Sequence, residues 1–468
     1  PRLIEPYRAT PAAVRQGRHP VTGEIVPEVK IGTFAAGTGN FFNGMRIVKE
    51  KVFEKSPFWA APRLGFAWDV FGTGGTAIRG GFGIFPDRIP DDFIIQQVER
   101  PPLVKTSTAN YTTIRQLLST PLSLSPSNVD AFEVDGWRPA VYNWSFGIQH
   151  SVGFNTVLDV AYVGSVGRHL LQSHNLNAIP YGTRFLPQNI DSTLTGNRPL
   201  PDGFLRPFVE HGNIRYLQFS GNSNYHSMQT QVNRRFSQNL QYGMSWTWSK
   251  SLALSNGNGD GLANFLTPRM RNYGKTDIDR THVFVSNFVY HLPLASRWWK
   301  TAFSRWVLDG WESSGSVTFQ SGAPLGVGYS TTDGEDIIGT PTEDSRINVA
   351  SNPVLPKSER GFSRNFRTDV FRRPRRGDYG NAARDLIRGP GVNNFDISLF
   401  KNFRFGKDGD KQLQLRWETY NSFNHVNFSA LDTGARFDPQ GNQVNLRLGE
   451  FTDSLVGRRM VLALKFYF

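Results

Sequence analysis

The 468-residue chain has no cysteine, which excludes a disulfide framework and thiolate metal sites. Its mean hydropathy is −0.39, and no run approaches the roughly 18 consecutive apolar residues that a helical membrane span needs, so helical spans are excluded while a β-barrel is not. The formal charge of +13 favours an anionic partner, but no nucleic-acid-binding motif accompanies it, so no nucleic acid is expected.

Length alone would divide the chain among several ordinary domains, but an all-β barrel uses such a length as one unit. The 36 Phe, 14 Tyr, 11 Trp and 46 Gly suit tightly turned strands with aromatic belts, and the 28 Pro argue against long helices. Neither an initiator Met nor a signal peptide opens the sequence, so it reads as a piece of something longer.

Residues 1–61 hold only weak strand candidates, around Val29–Phe34 and Arg46–Phe53, and read as part of an extracellular loop. From residue 62 the pattern changes to period two, the mark of strands with one apolar face. Residues 62–72 set Leu64, Phe66, Trp68 and Val70 on one face, and 76–86 repeat this with Ile78, Phe82 and Ile84. In 140–152, Tyr142, Trp144, Phe146 and Ile148 oppose Asn143, Ser145, Gly147 and Gln149; 155–169 continue the alternation. Residues 225–237 alternate around Met228 and Val232, and 240–252 set Leu240, Tyr242, Met244, Trp246 and Trp248 against small or polar neighbours. Further strands fit at 281–291, 308–321, 394–406 and 411–424. The last strand closes the chain, with Met460, Leu462, Leu464, Phe466 and Phe468 alternating with Val461, Ala463, Lys465 and Tyr467. A soluble protein seldom leaves so apolar a strand as its raw end, whereas a closed membrane barrel pairs its last strand with its first. The expected fold class is therefore all-β: a transmembrane antiparallel barrel over residues 62–468, with about eleven strands near the length of a tilted span.

The links sort by length. Tight turns fit at Gly72–Gly75, Gly153–Asn155, Ser237–Asn239 and Gly406–Asp410, the link 292–307 is intermediate, and those at 87–139, 170–224, 253–280, 322–393 and 425–456 are long. Alternating short and long links are what periplasmic turns and extracellular loops produce. Loops 87–139, 170–224 and 322–393 are the candidates for capturing a ligand, by size and position.

No chemistry-bearing constellation emerges, so an enzyme is not expected. Gly72-Thr-Gly-Gly-Thr76 lies between strands with no helix after it and reads as a turn rather than a phosphate loop. The nine His have no metal-ligand spacing; His150, His282 and His291 read as interfacial or lumenal side chains, and no cofactor is expected. Asp333, Glu335 and Asp336 read as solvated loop charge, with a calcium site as the alternative. Arg376-Gly-Asp378 is too short to carry information. Residues 357–388 hold ten Lys or Arg against four Asp or Glu. Their cluster Arg372, Arg373, Arg375 and Arg376 reads as solvated charge or as a contact for lipopolysaccharide phosphates or an anionic substrate, since Arg forks match phosphate oxygens. Tyr142, Trp144, Trp246 and Trp248 read as lipid-facing anchors rather than as a sugar platform.

Several segments together resemble the carboxyl-terminal barrel of Oar-like TonB-dependent outer-membrane transporters: Pro62-Arg-Leu-Gly-Phe-Ala-Trp-Asp69, Ile78-Arg-Gly-Gly-Phe-Gly-Ile-Phe85, Asp159-Val-Ala-Tyr-Val-Gly-Ser165, Asp279-Arg-Thr-His-Val-Phe284, Asn393-Asn-Phe-Asp-Ile-Ser-Leu-Phe-Lys-Asn-Phe403, and Leu413-Gln-Leu-Arg-Trp-Glu-Thr-Tyr-Asn-Ser-Phe-Asn-His-Val-Asn-Phe428 before the closing strand. The resemblance implies a 22-stranded barrel in the outer membrane of a Gram-negative bacterium, filled by an amino-terminal plug. A TonB-type energy-coupling protein would pull on that plug to admit a siderophore, cobalamin, oligosaccharide or peptide. It also implies that the barrel-assembly machinery reads the closing strand, through Leu462, Leu464, Phe466 and Phe468. Plug, energy-coupling box and signal sequence are not in this sequence, and eleven strands are half of such a barrel. Alone, the chain is therefore expected not to transport; its plug and amino-terminal strands would be partners. A passive porin-like channel and a surface adhesion barrel are the competing readings.

Overall fold

The period-two segments pair with one another in the order in which they occur. The structure, a computed structural model, describes residues 1–46, 60–87, 92–105, 124–237, 239–256, 269–405 and 411–468. Eleven strands form one continuous antiparallel path: β1 (Arg63–Asp69), β2 (Thr76–Pro86), β3 (Ala140–Gly153), β4 (Thr156–Asn175), β5 (His211–Ser237), β6 (Leu240–Ala253), β7 (His282–His291), β8 (Trp311–Gln320), β9 (Val392–Phe405), β10 (Lys411–Tyr420) and β11 (Arg459–Tyr467). Ser127–Phe132 pairs with β5 in parallel, and Gly274–Lys275 pairs with the end of β6. Among the described residues, β1 and β11 are the two edges of this sheet and do not pair with each other, so the wall is open.

Register aligns the expected faces across the whole sheet. One row runs Trp68, Ile78, Ile148, Val160, Thr230, Trp246, Phe284 and Phe319. The adjacent row points the other way and runs Ala77, Gln149, Asp159, Gln231, Ser245, Val285, Thr318 and Asn394. Because successive residues alternate sides, a slip of one residue would exchange the apolar and polar faces. The apolar face is left open on the outside: Leu64, Phe66, Trp68, Phe146, Leu462 and Leu464 are all exposed. Water would penalise such a surface, whereas hydrocarbon would not. Large rings on this face lie over glycines of the neighbouring strand. A Cβ added to Gly164 would meet the Trp144 indole at 2.3 Å.

The strands turn tightly at one end. Phe154 and Asn155, between β3 and β4, have φ of 51° and 57°, as a two-residue type I′ turn requires. The expected turn at Gly406–Asp410 lies outside the described residues. The link before β8 holds a short π-helical turn, Ser304–Leu308, so β8 starts at Trp311 rather than at 308.

The other end departs from the expected pattern. The link 170–224 is not all loop, because β4 runs to Asn175 and β5 starts at His211. At 20 and 27 residues, both exceed the roughly ten that cross a membrane, and their far halves form a ribbon beyond it. The ribbon bends at a register shift between Gly167 and Leu170, where His169 has a φ of 53°; a bulge re-aims a strand in this way. Residues 1–46 also differ from expectation. Their strands are Glu5–Tyr7, Gln16–Arg18 and Ile25–Pro27 in a small sheet, while Glu28–Lys30 is a 3-10 turn. The second expected strand, 46–53, falls almost entirely outside the described residues.

The largest buried apolar cluster is in the loops, not in the wall. Val327, Ile347, Phe366, Val370, Phe371, Ala382 and Ile387 pack with Ala435, Phe437 and Leu448. Gly328–Thr331 pairs in parallel with Gly434–Phe437, so the links 322–393 and 425–456 fold together as one unit. The physical reason is simple: the strands give most of their large side chains to the outer face, and the long links enclose a core of their own.

Candidate functional site

Carboxylates met by arginine, three of them buried and two part-exposed, join the long links into one layer. Asp279, in the link before β7, accepts from Arg388 Nη2 at 2.5 Å and from the Ser251 amide at 2.6 Å. Arg388 also donates to Thr281 Oγ1 at 2.8 Å and to the Gly322 carbonyl at 3.1 Å. It thereby ties the base of 322–391 to the ends of β6 and β7. Asp130 takes a two-pronged pair from Arg215, Nε to Oδ1 at 3.0 Å and Nη2 to Oδ2 at 2.7 Å, which locks Ser127–Phe132 against β5. Arg184 reaches Asp202 at 2.7 Å and Asp336 at 3.3 Å, joining 176–210 to 322–391.

A third buried carboxylate, Asp191, docks the amino-terminal segment. Arg15 donates to Asp191 at 2.7 Å, to Thr193 Oγ1 at 2.8 Å and to Glu28 at 2.6 Å. Burial pushes the Asp191 carboxyl up, but hydrogen bonds from Thr193 and Arg15 outweigh it and hold the group below the usual carboxylate range. A buried charge persists only where such partners surround it.

Between these anchored pieces lies a cleft of about 910 Å³, bounded by residues 39–46, 94–103, 129–134 and 208–214. Val98, Leu103, Val129, Phe132, Phe208 and Ile214 form its apolar wall, and Asp130 and Gln97 stand beside it. Two of the loops expected to capture a ligand, 87–139 and 170–224, therefore meet at one concavity. A largely apolar cleft with a few oriented polar groups is the usual form of a small-molecule site.

The arginine cluster is brought only partly together. Arg373 pairs with Glu335 at 3.1 Å; Arg376 lies 3.8 Å from the same carboxylate and 4.1 Å from the Phe185 ring centroid. Arg372 donates to the Asp369 and Phe371 carbonyls at 2.6 and 2.8 Å, and Arg375 is exposed. The three carboxylates 333, 335 and 336 take different partners. Asp333 accepts the Glu335 amide at 3.0 Å, Glu335 faces the arginines, and Asp336 caps the Gly339 amide at 2.8 Å. Among the described residues no group of acidic and histidine side chains has the arrangement of a metal site. His282 stacks on Trp246 at 5.9 Å, and His226 accepts from or donates to Tyr162 Oη at 2.7 Å, both on the apolar face. His291 lies 3.5 Å from Glu312 on the opposite face. Leu462, Leu464 and Phe466 of β11, with Phe468 beyond it, all stand on the exposed apolar face.

The four clamping arginines and their carboxylates escaped the sequence reading. Their partners lie far away along the chain, up to 176 residues for Arg15 and Asp191, so no spacing betrays them. The one available signal was the Asp279-Arg-Thr-His segment, already singled out for its resemblance.

The family model described as "Outer membrane beta barrel domain" matches residues 19–460. The chain belongs to this family. It is an outer-membrane β-barrel protein of the Gram-negative type, in a family of membrane barrels rather than enzymes. Comparison with curated proteins gives no match. Among solved structures, this barrel is similar to the outer membrane transporter YddB from Escherichia coli, with a TM-score of 0.45 and 11% identity over 86% of this chain and 39% of that one. It is similar to BauA, the ferric preacinetobactin receptor from Acinetobacter baumannii, at 0.39 and 10% over 87% and 36%. It is also similar to the FrpB iron transporter from Neisseria meningitidis, at 0.37 and 10% over 87% and 38%. This barrel spans about two fifths of the length of these structures.

Proposed function

We propose that this wall and its loop layer are part of a TonB-dependent, Oar-like outer-membrane transporter that takes a solute from outside the cell. The cleft between loops 87–139 and 170–224 receives the solute, and the polar face of the sheet lines its way inward. The observation that carries this reading is that cleft between anchored loops, beside a sheet with one face of Gln, Ser, Thr and Asn. Because an open sheet edge in hydrocarbon leaves backbone groups unsatisfied at several kcal/mol each, β1 and β11 meet further strands of a closed barrel, and a plug occupies its bore. A siderophore, cobalamin, an oligosaccharide and a peptide are all compatible with the lining.

The test is uptake by cells that carry the intact protein with Phe208→Asp, a substitution at a half-exposed residue of the cleft. Uptake and surface binding of the cargo should fall about tenfold, the effect of roughly 1.4 kcal/mol, with barrel assembly unchanged. Uptake that persists after the proton gradient is collapsed would favour the passive channel. Cell binding without any uptake would favour an adhesion barrel.

Two further assignments belong to the same reading. Leu462, Leu464, Phe466 and Phe468 form the signal read by the barrel-assembly machinery, supported by their exposure along an edge strand that pairs, among the described residues, on one side only. Arg372 and Arg375, exposed members of their cluster that pair with no carboxylate among the described residues, contact lipopolysaccharide phosphates or an anionic solute. Arg372→Gln with Arg375→Gln should weaken that binding at low salt, and unchanged binding would remove the assignment.

A further inference from the structure

The link between β7 and β8 is longer and more apolar in sequence than the other links that join neighbouring strands at its end of the wall. It reads Leu292-Pro-Leu-Ala-Ser-Arg-Trp-Trp-Lys-Thr-Ala-Phe-Ser-Arg-Trp-Val-Leu-Asp-Gly310. A peptide this apolar in a water-exposed turn should fold its rings inward. Instead Trp298, Trp299, Phe303 and Trp306 are 67, 62, 64 and 58% exposed.

Internal bonds fix them in that arrangement. Ser304 is buried, its amide donates to Thr301 Oγ1 at 3.1 Å, and its hydroxyl reaches the Thr301 carbonyl at 2.8 Å. Asp309 accepts the Ser296 amide at 2.9 Å, and the Trp311 indole donates to the Val307 carbonyl at 2.8 Å. The link also folds outward, onto the apolar side of the wall. Trp306 meets Phe403 at 6.5 Å between ring centroids. Lys401 Nζ lies 4.9 Å from the Phe403 ring and 5.6 Å from that of Trp311, and bonds the Asp309 carbonyl. Lys401 and Phe403 share the face of Leu399, and the cross-strand neighbours of Leu399 and Lys401, Trp417 and Leu415, continue to Leu462 and Leu464.

The charges around these rings are of one sign. Arg297, Lys300 and Arg305 are exposed, and among the described residues no carboxylate pairs with them. The link's single acid, Asp309, is engaged by Ser296 and faces Lys401. Amphipathic rings flanked by free cations, at the edge of an apolar wall, match the boundary between acyl chains and anionic headgroups.

We propose that residues 292–308 form an anchor in the inner leaflet of the outer membrane that binds the headgroups of anionic phospholipid. Trp298, Trp299, Phe303 and Trp306 enter the acyl boundary, and Arg297, Lys300 and Arg305 hold the phosphates. The inference rests on the membrane orientation given above, with the short turns on the periplasmic side. Three cations at the surface of an anionic leaflet correspond to a preference on the order of a hundredfold for anionic over zwitterionic lipid.

The sequence contains no cysteine, so single cysteines carrying an environment-sensitive fluorophore give clean signals. The intact protein would be placed in nanodiscs of phosphatidylcholine alone or mixed with phosphatidylglycerol. The label would sit at Phe303→Cys in the anchor, at Leu464→Cys in the wall, or at Leu446→Cys in the extracellular layer. The expected result is apolar emission at 464 and aqueous emission at 446 in both lipids. Emission at 303 should become apolar at low phosphatidylglycerol content, and Arg297→Gln, Lys300→Gln and Arg305→Gln together should abolish that lipid dependence. Aqueous emission at 303 beside apolar emission at 464 overturns the anchor and leaves the barrel reading intact. Apolar emission at 303 regardless of lipid charge overturns the headgroup assignment. Aqueous emission at 464 overturns the orientation, and the anchor with it.

Discussion

Arg388 and Asp279 are 109 residues apart in sequence, yet the guanidinium of one lies 2.5 Å from the fully buried carboxylate of the other. The pair stands where the loop 322–391 returns to the wall. Arg388→Ala would leave Asp279 charged, buried and without its main partner, a change that costs about 3–5 kcal/mol. The expected outcome is faster hydrogen exchange throughout 322–391 and a lower melting temperature, with β2 to β5 unaffected. Asp279→Asn in the same background should recover part of the loss, because it removes the orphaned charge. Equal exchange in wild type and Arg388→Ala would show that the clamp bears no load.

The Asp191 pair gives the amino-terminal segment a dependence on acid. Its carboxyl is held below the usual range in the folded protein, whereas an unfolded Asp titrates near about 3.9. A depressed carboxyl stabilises the fold fully above that ordinary value and loses its contribution as pH falls through the folded one. Residues 1–46 should therefore loosen from 176–210 progressively as pH falls below about 3.9 and through the lower folded value, seen as new proteolytic cleavage near Arg15. Asp191→Asn should loosen the segment at neutral pH and flatten the pH dependence.

Gly164 is a test of packing on the outer face. Any side chain there must displace the Trp144 indole, which a new Cβ would meet at 2.3 Å. Gly164→Val should cost about 1–3 kcal/mol by overpacking, and Gly164→Val with Trp144→Ala should restore much of it. The readout is the temperature at which the barrel loses its heat-resistant mobility on gels.

Neighbouring residues of β11 separate the two faces directly. Leu464 is exposed on the apolar side, and Ala463 shares the other side with Lys465. Leu464→Lys near the bilayer midplane should cost about 2–4 kcal/mol, whereas Ala463→Lys should change little. Comparable losses at both positions in folding titrations would contradict the assigned faces.

All eleven strands of the wall were legible in the sequence because their signal is local. Leu64, Phe66 and Trp68, or Leu462, Leu464 and Phe466, announce a face within a few residues. The resemblance carried by the 393–403 and 413–428 segments likewise pointed to an outer-membrane barrel, which is as far as the match over 19–460 goes. What failed was the reading of long links as loops. The buried cluster of Val327, Ile347, Phe366 and Phe437 is scattered over more than a hundred residues with no period, and the pairing of 328–331 with 434–437 is parallel and remote. The same holds for the site: Arg372, Arg373, Arg375 and Arg376 stood out as a run, but the arginines that organise the layer are the isolated Arg15, Arg184, Arg215 and Arg388.

By itself, then, the sequence determined the strand order, the two faces and the membrane for which such faces are suited, since alternation is enforced by backbone geometry at every step. Only the tertiary structure decided which carboxylates are buried, which arginines neutralise them, and that the long links enclose a core and a cleft. Those outcomes depend on desolvation and charge pairing between residues as far apart as 176 positions, and such energies exist only once the chain has brought the groups together.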